Sequence, residues 1–384
     1  MWTALTVLAG LTLALWLGIS WDMMRGNRRM KKLATLDAPA PAEWPRVSIV
    51  VPARNEGTTV GAAMPTLFAL DYPDFELIAV NDRSDDDTGA VLDRLALADP
   101  RLRVDHVREL PAGWIGKNHA LHHGAARSSG RWLLFTDADI HFSPDALRRA
   151  VAHAEAQGLD LLAVVPRLTE RGHLLGICVG AFSLLFPMFF RPWRIADATT
   201  GNYGGVGAFN LVRAATYRKL GGHTALRLRP DDDVKLGKLF KRSGARCDFL
   251  LGAGAISVAW YENVREMARG LTKNAFAGTD YSVVFIIGGV IGQTVFFVWP
   301  PFALFVERGL AWWLDLAATT TMLAVAVDNQ RFAGGRWWHG LFLPLGIVIF
   351  NYILLRSMFV TLWQQGIVWR GTHYPLADLK ANRL

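Results

Sequence analysis

Residues 133–139 read Leu-Leu-Phe-Thr-Asp-Ala-Asp, an apolar run of strand length that stops abruptly at two carboxylates, Asp137 and Asp139. In an extended backbone an i, i+2 spacing puts both side chains on one face, here at the C-terminal end of the strand. Hard cations such as Mg²⁺ or Mn²⁺ take oxygen ligands and share them with substrate phosphates, so the pair is a candidate metal–diphosphate site. A polar turn closing a buried strand is the plainer alternative, because short acidic turns are common.

The neighbouring chain alternates strand-like and helical patterns. Residues 47–51 are a short β-branched run ending at Pro52, and a helix-length segment follows to about residue 69. Residues 77–80 make a second strand ending in Asn81-Asp82, 103–107 a third, 118–126 a helix and 132–136 the fourth strand. This alternation predicts an α/β domain with a mainly parallel sheet and helices on both faces. Such sheets bind ligands beyond the carboxyl ends of their strands. Asn55, Asp82 and Asp139 each lie just past a strand end, so they can converge in one crevice, which strengthens the metal–diphosphate reading. No Gly-x-Gly-x-x-Gly follows the first strand, where the chain reads Pro52-Ala53-Arg54-Asn55-Glu56-Gly57, and there is no P-loop. A nucleotide held here needs side chains and a metal in place of a glycine cradle.

The rest of the chain is membrane-like. Hydrophobic residues make up 52% and charged residues 19%, with 15 Trp, too apolar for a wholly soluble protein of 384 residues. The net charge of +8 admits nucleic acid, but the excess lies beside apolar segments, so an anionic bilayer is the better partner and no nucleic acid is expected. Cys178 and Cys247 are too few for a disulfide framework, which suits a reducing compartment.

Residues 1–22 read as an N-terminal transmembrane anchor, followed by Arg25, Arg28, Arg29, Lys31 and Lys32; the positive-inside rule puts the chain after Arg25 in the cytoplasm. Residues 23–46 are a basic and Pro-rich linker, 47–259 the cytoplasmic α/β domain, and 260–281 an amphipathic interfacial helix. Residues 282–364 hold C-terminal transmembrane helices, with Pro300-Pro301 as the expected place of a re-entrant or split segment, and 365–384 form a tail. The apolar stretch 173–190 is marginal as a span and reads as lying on or dipping into the bilayer surface, with a buried core helix as the alternative. Asp231, Asp232 and Asp233 open a helix running to about Ser243; one suffices as a cap, and three adjacent acids imply something basic or metallic nearby. The Arg265, Arg269 and Lys273 stripe fits lipid headgroups or a phosphate. His119, His122 and His123 have part of a zinc spacing but no third ligand, and helix packing is the simpler reading.

Taken together these motifs resemble the family-2 glycosyltransferases with a GT-A-type domain. The resemblance rests on residues 47–56, Asn81-Asp82, Gly116-Lys117-Asn118, Asp137-Ala138-Asp139 and Asp232-Asp233, the last standing where the family has Glu-Asp. Residues 111–117, 269–274 and the Trp369-Arg370-Gly371-Thr372-x-Tyr374 stretch resemble the membrane-bound branch acting on lipids, which includes hopanoid-associated and carotenoid enzymes and, more distantly, ceramide glucosyltransferases.

The resemblance implies an inverting enzyme of the inner membrane, catalytic domain facing the cytoplasm, moving a sugar from a nucleotide-sugar of the UDP type to a hydroxyl or carboxyl of a membrane lipid. It implies donor contacts from Pro52, Asn55, Glu56, Asp82, Lys117, Asp137 and Asp139, with Mg²⁺ or Mn²⁺ on Asp137 and Asp139 and Asp233 as the base. Asp232, Arg269, Lys273, Trp369 and Arg370 fall on the acceptor or phosphate side. The Gln/Arg-x-x-Arg-Trp motif of processive polysaccharide synthases has no clean match, so a processive synthase is the alternative enzyme. A non-catalytic nucleotide-sugar-binding membrane component is the alternative from another class.

Overall fold

The computed structural model describes residues 2–382, and their backbone contacts divide them into two units. One comprises residues 30–167, 192–259 and the end of the tail from residue 381; the other comprises the N-terminal helix, residues 168–191 and 260–380.

The first unit is built on strands β1 (Val47–Ala53), β2 (Phe75–Asp82), β3 (Leu102–Val107) and β4 (Trp132–Phe135). Next come the short β5 (His141–Phe142), β6 (Leu161–Val165), β7 (Arg167–Leu168), β8 (Asn210–Arg213), β9 (Cys247–Leu251) and β10 (Ile256–Val258). Seven of them form one sheet in the order β3-β2-β1-β4-β8-β6-β9. β1, β2, β3 and β4 run parallel, and β8 alone is antiparallel to its neighbours β4 and β6. Strands such as β1 and β4 are buried along nearly their whole length, because helices cover the sheet; that burial is why they read as continuous apolar runs.

The order places the topological switch between β1 and β4. From β1 the chain winds outward to β2 and β3, then returns to add β4 on the other side. Ligands bind at such a point, where the diverging connections leave a crevice beyond the strand ends. The reversed β8 adds to it. Because Phe135 pairs with Asn210, the residues that follow β4 lie beside those that precede β8, and the Asp137 N–H donates to the Gly207 carbonyl at 3.1 Å.

The helix Asp232–Arg242 closes this side. It fits only because glycine faces it: a Cβ on Gly237 would lie 2.1 Å from the Gly204 carbonyl oxygen, and one on Gly205 would lie 1.9 Å from that of Asp233. The glycine-rich stretch after residue 199 is therefore a close-packing surface.

The second unit is helical. Five helices among the described residues are long and apolar enough to cross a membrane: Ala4–Arg29, His173–Arg194, Val283–Val306, Leu310–Ala333 and Trp337–Trp363. Val284, Phe305 and Trp363 are more than four-fifths exposed, as lipid-facing side chains would be.

The expected break at Pro300-Pro301 takes another form. The chain passes from Val283–Gln293 through a π-helical turn, Thr294–Val298, into Trp299–Val306. The Phe296 carbonyl would find its i+4 and i+5 donors at Pro300 and Pro301, which have no N–H; the Trp16 indole N–H donates to it instead at 2.8 Å.

The amphipathic stretch also differs from the single helix expected over 260–281. It forms Val264–Thr272, capped by the Asn263 side chain on Glu266 N at 2.9 Å, and a short Ala275–Gly278. Its apolar face of Met267, Ala268 and Leu271 is covered by Leu175, Cys178, Val179 and Ile353, so protein takes the place expected of lipid. Arg265 and Arg269 on the other face are exposed.

In the tail, β11 (Gly366–Trp369) and β12 (Thr372–Pro375) form a hairpin whose two turn residues, Arg370 and Gly371, have φ of 49° and 81°. Positive φ at both centres is the two-residue hairpin geometry that matches strand twist, which accounts for the Arg-Gly pair.

Candidate active site

Lys117, Thr136, Asp137, Gly207, Asn210, His223, Asp232 and Asp233 line a narrow cleft with Leu121, Phe135 and Leu236. Lys117 comes from the first turn of the helix Gly116–Ala126. That turn is pinned from both sides. A Cβ on Gly116 would lie 2.3 Å from Asp82 Oδ2, and the Asn118 amide donates to the carbonyls of Leu226 at 2.6 Å and Arg229 at 2.9 Å. The Lys117 ammonium therefore stands between the end of β2 and the acidic helix start.

Its Nζ lies 2.6 Å from Asp137 Oδ1. Burial alone would pull its pKa down, but Asp137, Asp232 and Asp233 together override that and hold it above the ordinary lysine value. Gly207 makes room for the pair: a Cβ there would meet Asp137 Oδ2 at 2.7 Å and Lys117 Nζ at 3.2 Å.

Asp233 Oδ2 accepts the Gly207 N–H at 2.7 Å and Oδ1 accepts the Val234 N–H at 2.8 Å. Burial raises its pKa, and Lys117 and these amides oppose the rise. Asp232 is pushed up to about 7, first by burial and then by Asp233 and Asp137, against the pull of Lys117. Asp231 is the N-cap residue, but its side chain makes no capping hydrogen bond. It takes both oxygens to the fully buried Arg229 at 2.8 and 2.9 Å, with Lys235 at 3.7 Å. The basic partners that three adjacent acids require are thus Arg229 and Lys235 for Asp231, and Lys117 for the other two.

Asp139 is pushed up to about 7 by burial and then by Asp137 and Glu56. Two clustered carboxylates with a third nearby form an excess of negative charge that a cation relieves. No group of three or more His, Cys, Asp or Glu with metal-binding geometry occurs among the described residues. Asp137 and Asp139 by themselves are too few for a closed metal site, and a hard cation there would draw most of its oxygens from phosphate and water.

None of the other expected donor residues, Asp139 included, lines this cleft; they lie at or just past the C-terminal ends of β1, β2 and β4. Pro52 is the penultimate residue of β1, opposite Val80 of β2. Asn55 sits at φ 55°, its side-chain oxygen accepting the Asp85 N–H at 2.9 Å and its own N–H given to Ser84 Oγ. The Glu56 N–H donates to Thr88 Oγ1 at 2.8 Å. Asp82 is buried, with Arg83 on both oxygens at 2.7 and 3.1 Å and Arg54 at 3.8 Å. Arg269, Lys273, Trp369 and Arg370 belong to the helical unit, where Lys273 Nζ sits 3.8 Å over the Trp369 ring. His122 packs on Trp114, and His119 lies 6.0 Å from His123 between ring centres, as packing side chains do. Gly207 and His223, which line the cleft, and Tyr217, whose hydroxyl lies 2.7 Å from His223 Nδ1, escaped the sequence reading. Only the glycine-rich composition before β8 hinted at the first, and nothing local marks the other two.

A mixed, mostly parallel sheet with carboxylates and a lysine at its switch point is the GT-A type of α/β domain. Over nearly its whole length the chain shares the fold of a mannosyltransferase from Pyrobaculum calidifontis solved with GDP-Man and Mn²⁺, with a TM-score of 0.57, 17% identity, and coverage of 94% of this chain and 99% of that one. Residues 48–176 match the glycosyl transferase family 2 model. It is 29% identical over 206 residues to a beta-monoglucosyldiacylglycerol synthase of Synechocystis sp., a match covering 53% of this chain and 42% of that protein. It is 23% identical over 240 residues to a 4,4'-diaponeurosporenoate glycosyltransferase of Staphylococcus haemolyticus, covering 61% and 62%. The matches thus span less than two thirds of either relative.

Proposed function

We propose that the protein is an inverting glycosyltransferase that moves a sugar from a nucleotide-sugar to a hydroxyl of a membrane lipid. The observation that carries this reading is the gathering of Lys117, Asp137, Asp232 and Asp233 around one cleft at the sheet's switch point. The names of the two relatives, one a diacylglycerol-lipid and one a carotenoid enzyme, support a lipid acceptor, and the five apolar helices supply a membrane setting.

In this reading the donor diphosphate lies against Lys117, whose ammonium is held charged by the acids around it. A divalent cation on Asp137 and Asp139 would supply charge compensation for the departing diphosphate. Lys117 stands 2.6 Å from Asp137, so it marks where positive charge is wanted. Asp233, fixed by two backbone N–H groups, takes the proton of the acceptor hydroxyl. The hydroxyl oxygen bonds to the anomeric carbon while the carbon–oxygen bond to phosphate breaks and its electron pair leaves with the nucleoside diphosphate. One displacement inverts the anomeric centre.

The same reading places residues 30–167 in the cytoplasm, and chain continuity supports a particular path. β6 and β8 pair in one sheet, so the helix His173–Phe190 between them leaves and returns on one side and cannot cross once. The Asn382 side chain accepts from Leu228 N at 3.0 Å and donates to the Ala225 carbonyl at 3.1 Å, so residues 260–380 also begin and end on that side. They cross an even number of times. Val283–Val306 and Leu310–Ala333, joined by a tight turn, make the natural pair, which leaves Trp337–Trp363 as the segment that does not cross.

Membranes containing the full chain, given radiolabelled UDP- and GDP-sugars, test the activity. Label should enter a lipid extract, and Asp233→Asn should cut the rate by about 10²-fold or more while donor binding persists. A full rate in Asp233→Asn removes its assignment as the base, and no labelled lipid from the unaltered protein with any donor removes the activity.

A further inference from the structure

The proton step above uses Asp233 and leaves its neighbour without a role. Asp232 is 3% exposed and lines the same cleft. What faces its Oδ2 is the ring of His223, with Nε2 at 4.0 Å. At this length the two are neighbours and not hydrogen-bonded; catalytic hydrogen bonds are often long in the empty site and tighten only in the substrate complex.

His223 is 1% exposed, with its ring edge-on to Phe135 at 4.8 Å. Its Nδ1 lies 2.7 Å from the Tyr217 hydroxyl, and its backbone N–H donates to that same oxygen at 3.1 Å. The hydroxyl oxygen is thus already accepting and has one hydrogen to give. Giving it to Nδ1 leaves the ring proton on Nε2, the nitrogen that faces Asp232; this is the tautomer in which the hydroxyl both accepts and donates.

We propose that Tyr217 and His223 are positioning residues: Tyr217 fixes the His223 tautomer, and the His223 Nε2–H holds the Asp232 carboxylate so that it orients the acceptor hydroxyl toward Asp233. The proposal rests on the glycosyl-transfer reading. Burial, Lys117 and His122 push the ring down to about 3, so it donates one hydrogen bond and adds no charge. The charged groups around Asp232 come from three elements: Lys117 on the helix Gly116–Ala126, Asp137 after β4, and Asp231 and Asp233 on its own helix. A neutral donor is what such a site needs. An imidazolium would add a second positive charge beside Lys117 and hold Asp232 in an ion pair, whereas a neutral N–H aims the carboxyl group without that added charge. Tyr217 and His223 lie before and after the positive-φ pair Gly221 and Gly222, so the turn that brings the ring under Asp232 is part of the device.

The test uses the full chain in detergent or nanodiscs with variants Tyr217→Phe, His223→Gln and His223→Leu. Initial rates are resolved into kcat and donor KM, and a thermal midpoint is recorded for each. Gln carries an amide N–H near the place of ring Nε2, and Leu carries none. Tyr217→Phe and His223→Leu should lower kcat by about 10-fold or more with donor KM unchanged, and His223→Gln should recover most of that loss. Equal kcat losses for Gln and Leu at matched midpoints, or a loss confined to donor KM, would overturn the proposal. If His223→Leu does not fold, Tyr217→Phe against His223→Gln gives the same comparison, the first being the lower. Absence of any transfer by the unaltered protein is a failure of the activity reading instead. ¹⁵N-histidine NMR then decides the first link without turnover: an Nε2–H ring for His223 agrees, and an Nδ1–H ring overturns it.

Discussion

Asp231, Asp232 and Asp233 are identical in chemistry and adjacent in sequence, yet the fold gives each a different environment. Asp231 neutralises the buried Arg229, Asp232 faces a neutral imidazole, and Asp233 is held by two backbone N–H groups. Sequence reasoning recognised that three adjacent acids need basic company. It could not apportion them, because the partners Lys117, His223 and Gly207 come from three separate places in the chain. The difference is measurable. Asp231→Asn leaves the Arg229 charge buried with its bidentate partner gone, which should cost about 3–5 kcal/mol and lower the unfolding midpoint. Asp233→Asn keeps one of the two acceptors and leaves one backbone N–H unpaired, so it should cost less, about 1–3 kcal/mol, and act mainly on rate. Thermal unfolding of the two variants side by side checks this, and equal midpoints would contradict the assignment of Asp231 as structural. Gly207→Ala belongs with the site as well. Its backbone φ is not positive, so the added methyl acts by pressing on Asp137 at 2.7 Å and Lys117 at 3.2 Å, and transfer should fall with little change in midpoint.

Elements whose character is local were legible, and those set by distant partners were not. β1, β2 and β4 announce themselves as apolar runs that stop at polar residues, because a strand buried on both faces has no other way to end. β8 is short and follows a glycine-rich stretch, and nothing in Asn210–Arg213 encodes that it runs against its neighbours. That reversal is what sets Gly207 beside Asp137. The amphipathic pattern after residue 263 correctly marks an apolar face, but an apolar face does not say whether lipid or protein will cover it; here Leu175, Cys178, Val179 and Ile353 do. Pro300-Pro301 was read as a break because two donors are missing, and the remedy, the Trp16 N–H, lies 280 residues upstream. Trp16→Phe keeps the aromatic packing on Phe297 and removes only the donor and the indole's extra volume. It should destabilise the helical unit by about 1–3 kcal/mol, because the Phe296 carbonyl is left unpaired in apolar surroundings. Trp313→Phe, at an exposed position, should be close to neutral. Unfolding in micelles compares the two, and a neutral Trp16→Phe would show that the carbonyl has another donor.

At the scale of the whole molecule, a GT-A-type sheet and apolar helices share one chain, and continuity between them constrains how the helices meet a bilayer. Single cysteines at Ala126, Arg308 and Ala381, all exposed, report on the path, since the native Cys178 and Cys247 are buried. Ala126→Cys and Ala381→Cys should react with a membrane-impermeant reagent from the cytoplasmic face, and Arg308→Cys from the opposite face. Ala126 and Ala381 labelling from different faces would contradict the even number of crossings. Membrane, linker and site were each suggested by sequence. The crossing parity was not, because it depends on strand pairing and on the Asn382 contact with residues 225–228. All of these readings meet in one claim: the crevice beyond β1 and β4 holds a nucleoside diphosphate through a divalent cation and Lys117. Calorimetric titration of UDP and GDP into the full chain, with Mn²⁺ and with EDTA, tests it most directly when repeated on Asp139→Asn. The account predicts that at least one of the two nucleotides binds with Mn²⁺, that EDTA weakens it by about 10-fold or more, and that Asp139→Asn loses the Mn²⁺ dependence. Binding of equal strength in EDTA, unchanged in Asp139→Asn, would contradict it.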